Sequence, residues 1–198
     1  MGNGFYNVVH AVLGTALKLF YPAKTEGLEN IPAEGGFVLC LNHLSALDPL
    51  HVCARLPRKR RIFYLAKKEL FKHKLIAAII RGIGGIPVDR GNADIAAVRT
   101  TLQLAKEGKG IGIFPQGTRS DVVNPKPMLP GASMIALRAG VPVIPCYISP
   151  YGFLKRGRIC FGPALDFSDF GRRCDKDTLE TATQRISDAI WSMKKDCE

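Results

Sequence analysis

Short, wholly apolar runs alternate along this chain with segments whose apolar positions recur every three or four residues. That is the pattern of a largely parallel sheet, buried on both faces and covered by helices. Residues 37–41 (Phe-Val-Leu-Cys-Leu), 62–66, 111–114 and 141–148 are runs of the first kind and predict buried strands. Residues 5–21, 93–106 and 175–195 carry the helical period. In the last of these, Leu179, Ala182, Ile186, Ala189, Ile190 and Met193 form one stripe that predicts core packing. Shorter helices are predicted over 49–56, around 67–74 and up to Ala139, the last after a proline-bearing loop at 121–130. Residues 158–161 predict an edge strand, 27–32 a turn-rich lead-in, and 82–90 a glycine-rich turn into a short strand. The fold class expected is α/β: one domain over 25–198 with a mixed, mostly parallel sheet flanked by helices, preceded by a helix within 1–24.

Composition adds one outlier. The chain has 198 residues, enough for one core, and 46% hydrophobic residues, with no repeat or low-complexity tract. Its net charge is +11, which implies an anionic partner. Arg55, Arg58, Lys59, Arg60, Arg61, Lys67, Lys68, Lys72 and Lys74 supply much of it. Their neighbours Leu70, Phe71, Leu75, Ile76, Ile79 and Ile80 are greasy rather than stacking aromatics. This suits an anionic membrane surface better than nucleic acid, although a charge run can also be a solvated face.

The first helix has neither the basic start nor the small-residue site of a cleaved signal, and Tyr6 stands where myristoylation wants Ser or Thr. It is about a turn short of a span and carries Asn7, His10 and Lys18. It either lies amphipathically in the membrane interface or packs on its own domain. Cys40, Cys53, Cys146, Cys160, Cys174 and Cys197 show no C-x-x-C pair and no clustering with histidine. Buried thiols in a reducing cytosol are expected, with no bound metal and no disulfide framework.

The chemistry centres on Asn42-His43-Leu44-Ser45-Ala46-Leu47-Asp48, directly after the run 37–41. Residues five apart do not meet on a straight helix, but they can meet if the chain turns between them. Pro49 suits the first turn of a helix and leaves Asp48 as its N-cap, able to reach back to His43. A carboxylate there fixes the imidazole tautomer and leaves the other nitrogen free to take a proton. The plainer alternatives are that Asp48 only caps, that His43 only fills a turn, or that Asp48 pairs with His51. No G-x-S-x-G elbow supplies an enzyme nucleophile, so a substrate hydroxyl would serve; Cys40 reads as strand core. A second candidate loop is Pro115-Gln116-Gly117-Thr118-Arg119-Ser120, at the carboxyl end of the strand predicted at 111–114. Gly117 lets backbone N–H groups approach an oxyanion, Thr118 offers a hydroxyl, and Arg119 can grip a phosphate; the alternative is a turn with a surface arginine.

Together these segments resemble the glycerolipid acyltransferases. The likeness rests on the H-x4-D block Asn42 to Asp48, then Gly85 to Arg90, Phe114 to Ser120 and Val141 to Pro145, with support from Gly27 to Pro32 and Ala66 to Leu70. It runs from about residue 25 to 165. The resemblance implies a glycerol-3-phosphate acyltransferase-like fold and acyl transfer from acyl-CoA or acyl carrier protein to the sn-2 hydroxyl of lysophosphatidic acid. His43 would be the base, oriented by Asp48. Arg119, Arg90 and Lys67 would hold the acceptor's phosphate, and Gln116, Gly117 and Thr118 would line the site. No cofactor or metal is implied, and the enzyme would sit peripherally on the cytoplasmic face of the cell membrane, its partners the lipid surface and the two substrates, not nucleic acid. Two departures stand out: Gln116 replaces the family's Glu, and Met128-Leu129 stands where the family carries Phe-Lys. Rival readings are transfer to another lysolipid or to glycerol 3-phosphate, and a lipid-surface binding protein without catalysis.

Overall fold

The computed structural model describes residues 3–57, 59–89, 94–171 and 173–197, with the backbone alone for residues 3–10. In chain order the elements are α1 (Asn3–Phe20), β1 (Ala23–Glu26), β2 (Phe37–Leu41), α2 (Asp48–Cys53), β3 (Ile62–Lys67), α3 (Lys74–Gly82), β4 (Gly85–Val88), α4 (Ile95–Lys106), β5 (Gly110–Ile113), α5 (Gly131–Ala139), β6 (Val143–Ile148), β7 (Gly157–Phe161), α6 (Lys176–Ser192) and α7 (Lys194–Cys197). The basic stretch predicted as a helix around 67–74 forms instead a 3-10 turn over Lys68–Lys72, with α3 beginning after it.

Seven strands form one sheet in the order β1-β7-β6-β2-β5-β3-β4. All neighbours are parallel except β6 and β7. Every residue of β2, β5 and β6 is buried, as their unbroken apolar runs demand. Alternate side chains feed two cores. Val38 and Cys40 join Ala105 of α4, Ile135 of α5 and Ile186 of α6 on one face, while Phe37, Leu39 and Leu41 join Val52 and Cys53 of α2 on the other. The stripe on α6 is core: Ala182, Ile186 and Ile190 are at most 1% exposed.

Three sequence expectations are corrected. The strand predicted at 158–161 is not at the edge, because β1 pairs along it from Ala23↔Gly157 to Glu26↔Cys160. The sequence of β1, Ala-Lys-Thr-Glu, has no apolar run or alternation to announce a strand; Glu26 pairs with Lys24 along the strand at 2.9 Å and with Arg158 across to β7 at 3.2 Å. The all-thiol reading of the cysteines also fails. The chain after β7 returns through α6 to lay α7 beside that strand, and Cys197 is disulfide-bonded to Cys160 across a sequence separation of 37. Cys40, Cys53 and Cys146 are buried thiols, and burial pushes the Cys53 thiol up to about 12. Third, part of the basic segment is not free surface. Arg55 donates to the Tyr21 and His51 carbonyls, Arg60 to Gly35 and Arg61 to Arg81 and Gly82, each closing off backbone acceptors.

α1 packs against α2 and α3, burying Gly14 and Leu17 while Val12 and Leu19 stand exposed. Among the described residues no helix is long and apolar enough to cross a membrane.

One close approach within the sheet carries a prediction. A Cβ on Gly112 of β5 would overlap the ring of Tyr64 on β3, which is 2% exposed and stacks on Phe114 at 5.9 Å. We expect Gly112→Ala to lower stability by about 1–3 kcal/mol, the usual cost of overfilling a packed core. Urea unfolding should show an earlier midpoint at unchanged slope; an unchanged midpoint would mean the ring moves aside freely.

Candidate active site

β2 lies between β6 and β5, and the carboxyl ends of all three run into loops on one side of the sheet. Asn42, fully buried, prolongs the β2–β6 ladder with its side chain. Its Nδ2 donates to the Ile148 carbonyl at 2.9 Å, and its Oδ1 accepts from the Ile148 N–H at 2.7 Å. The amide stands in for a peptide unit, so the main chain can leave the sheet without stranding Ile148.

His43 follows at the turn. Its Nδ1 is 2.8 Å from Asp48 Oδ2, and the same oxygen accepts from the Leu44 N–H at 2.7 Å and the Ser45 N–H at 2.8 Å. The Tyr151 hydroxyl donates to the other oxygen, Oδ1, at 2.7 Å. Asp48 is 0% exposed. Burying a carboxylate is costly unless it is hydrogen-bonded, and four donors meet that requirement. The expected N-cap geometry is therefore corrected: Leu47 caps α2 without a side-chain bond, and Asp48 is the helix's first residue with its carboxylate turned back onto the loop. Pro49 lacks an N–H, so α2 loses little by this.

The second candidate loop closes on the first. Gln116, 4% exposed, accepts from the His43 N–H through Oε1 at 3.1 Å, and the Ser120 N–H donates to the His43 carbonyl at 2.8 Å. The imidazole lies on Phe114, ring centroids 4.1 Å apart. Gln116 Nε2 faces the Lys126 carbonyl at 3.5 Å. A glutamate would keep the acceptor for His43 but set its second oxygen against that carbonyl. Gly117 turns with φ 69° as its N–H bonds the Phe114 carbonyl, and Thr118 is exposed.

A cleft of about 460 Å³ lined by Leu44, Ser45, Arg119, Ser120, Asp121, Val122, Pro150 and Tyr151 opens between these loops. A larger one of about 560 Å³ shares Pro150 but is walled by Lys24, Arg156 and Arg158, and the first is the candidate site because the loops that form it carry His43 and Asp48. The structure thus brings His43, Asp48 and Gln116 into direct contact, and sets Arg119 in the cleft beside them, lined by their neighbours Leu44, Ser45 and Tyr151. Lys67 is exposed at the carboxyl end of β3, beyond β5 from His43, and is not among the cleft's lining residues. Arg90 lies outside the described residues. Among the described residues no cluster of three or more His, Cys, Asp or Glu is placed to hold a metal ion.

Sequence reasoning missed Tyr151 and the reach of Asn42. Tyr151 follows the carboxyl end of β6, the position where open α/β sheets place ligand-binding loops, and that rule was the available signal. Of the plainer alternatives, a pairing of Asp48 with His51 is not the one formed. His51 is fully buried, its Nε2 meets the Tyr21 carbonyl at 2.9 Å, and its ring stacks on Tyr151 at 4.2 Å.

The family model described as Acyltransferase matches residues 23–149. The chain is 33% identical over 196 residues to 1-acyl-sn-glycerol-3-phosphate acyltransferase of Bacillus subtilis, spanning 96% of each protein. It is 31% identical over 174 residues to the protein so named in Streptococcus pneumoniae, covering 83% of this chain but only 63% of that one. Among solved structures it is similar to PlsC, the 1-acyl-sn-glycerophosphate acyltransferase of Thermotoga maritima, with TM-score 0.73 and 23% identity over 96% of this chain and 78% of the other.

His51 gives the site's surroundings a pH signature. Burial first, then the Arg55 charge, lowers its pKa to about 4 in the fold, against roughly 6.5 in the unfolded chain. Between those values the unfolded chain holds a proton that the native one does not. Stability is therefore full above about pH 6.5 and falls as pH drops towards 4, by up to about 1.4 kcal/mol per unit. We expect urea titrations at pH 4.5–7 to show this slope reduced by close to one proton in His51→Gln. Equal slopes in the two proteins would refute the assignment to His51.

Proposed function

Because the chain belongs to the acyltransferase family, we propose that it moves a fatty acyl group from a thioester donor to the sn-2 hydroxyl of lysophosphatidic acid, making phosphatidic acid for phospholipid synthesis, with His43 as general base. The observation that carries this reading is the 2.8 Å contact of His43 Nδ1 with a buried carboxylate already holding two backbone N–H groups. Acceptor-only as a carboxylate, Asp48 requires the proton on Nδ1, so Nε2 carries the lone pair. Nε2 takes the proton of the substrate hydroxyl as its oxygen attacks the thioester carbonyl. The new C–O bond forms, the C–S bond breaks, and the proton passes to the departing thiolate. Such proton transfer contributes on the order of 10²–10⁴-fold, and the rest comes from holding both substrates in line.

Arg119 is the residue of the cleft suited to the acceptor's phosphate, since its guanidinium can bond two oxygens at once. Lys67 and Arg90 are assigned secondary phosphate contacts, with Gln116, Gly117 and Thr118 shaping the loop that presents Arg119. No step calls on a metal or cofactor; acyl-CoA and acyl carrier protein both supply the thioester. The α1 segment would rest on an anionic membrane surface at the cytoplasmic face, and the domain boundary expected at residues 24/25 moves to before β1, whose Ala23 and Lys24 pair into the sheet of the catalytic unit. Exposed Val12, Leu19 and Phe20 on α1, and Leu75 and Ile76 beside Lys72 and Lys74 at α3, support that placement on two helices that pack together.

The test is thiol release with lysophosphatidic acid in mixed micelles, run with each donor. Wild type should release thiol only when acceptor is present, and His43→Ala should fall by at least about 10²-fold. A folded protein that binds vesicles but releases no thiol from either donor would defeat the reading.

A further inference from the structure

Tyr151 belongs to none of the signature blocks, yet its hydroxyl gives Asp48 a donor from outside the His43 loop. We propose that Tyr151 is a positioning residue that fixes the Asp48 carboxylate and tempers the negative charge His43 feels, thereby setting the pH at which His43 can act as a base. This rests on the acyl-transfer reading for its consequence, though not for its geometry.

The phenol is held from several sides. Its ring lies flat on His51, at 4.2 Å and 6° between planes, and meets Tyr21 edge-on at 6.3 Å. Tyr21 is itself fixed, its carbonyl accepting from His51 Nε2 at 2.9 Å and from Arg55 at 2.8 Å. The loop that follows is tied to the end of α1: the Leu154 N–H donates to the Phe20 carbonyl at 2.7 Å, and Phe153 stacks on Phe20 at 5.7 Å. A ring so clamped keeps its hydroxyl on Oδ1 without further ordering at the moment of reaction.

The two carboxylate oxygens then divide the work. Oδ2 orients His43, together with the Leu44 and Ser45 amides, while Oδ1 gives part of its charge to a neutral hydroxyl. Without that hydroxyl, more of the charge favours the imidazolium, and His43 holds its proton to higher pH. Other groups facing the pair do not confuse the readout. Burial lowers the His51 pKa to about 4, burial and the Asp48 charge push Cys146 of β6 and the Tyr151 phenol far up, and burial lowers Arg55 from an ordinary value far above the working range. Arg119 and Asp121, on the loop after β5, line the same cleft and are unchanged in the variants compared.

The experiment compares Tyr151→Phe, which keeps the ring stack and removes only the oxygen, with Tyr151→Leu, which removes both. In Tyr151→Phe the acidic limb of kcat/KM should move to higher pH by on the order of half a unit, with plateau kcat down by up to about tenfold and KM for the acceptor little changed. The His43 ring-proton NMR titration should move the same way, and this is read without turnover. If Phe matches wild type in both profile and NMR titration while only Leu loses stability, the ring is packing and the proposal is overturned. If wild type proves inactive but the NMR midpoint moves in Phe, the acyl-transfer reading fails and the link from Tyr151 to His43 stands.

Discussion

The structure is arranged around one buried charge. Asp48 has no exposure, and a carboxylate taken from water must recover its hydration in hydrogen bonds. It recovers it from two successive backbone amides, an imidazole and a phenol, which come from two stretches of chain more than a hundred residues apart. Satisfying that requirement forces the rest. The amides of Leu44 and Ser45 must point inward, which sets the loop's path. The loop's path puts His43 on Phe114, and the sheet must hold β6 beside β2 for Tyr151 to arrive.

The sheet order makes this possible with little irregular chain. β2 is flanked by β6 and β5, so three adjacent carboxyl ends supply His43 with Asp48, the Tyr151 phenol, and the loop bearing Gln116 and Arg119. Asn42 and Gln116 do parallel jobs on the two sides: each uses a side-chain amide to replace a ladder bond where a strand has ended. Rigid burial of β2 and β6 below them keeps these distances from drifting.

How much of this could be read from the sequence depended on what carried the signal. The buried strands and α6 were legible because burial on both faces, or along one stripe, writes itself into periodicity. β1 was not, since a short edge strand reading Ala-Lys-Thr-Glu is held by backbone pairing and ion pairs that periodicity does not record. The bond between Cys160 and Cys197 depends on where α7 returns, a tertiary fact invisible in cysteine spacing. In the site, the meeting of His43 and Asp48 was legible because both lie in one short turn. The direction of the Asp48 carboxylate was misread as a helix cap, because cap rules count the helix's own N–H groups and not competing donors in the loop. Tyr151 was beyond reach of spacing, being a contact between distant segments.

If His43 is the base, as proposed, it has to meet two opposing demands at neutral pH, and the Asp48 environment bears on both. A bare carboxylate in a dry pocket would orient His43 well but hold its imidazolium so firmly that little neutral base remained. A protonated acid would leave the base available but could no longer accept its Nδ1 proton. Two amides and a phenol share the carboxylate with Nδ1, so the hydrogen bond that orients His43 is kept while Nε2 is left for the substrate's proton on the proposed reading. The net charge of +11 fits the proposed reading at longer range, since a basic protein favours anionic partners, while the donors that meet Asp48 itself are neutral amides and a phenol beside the imidazole.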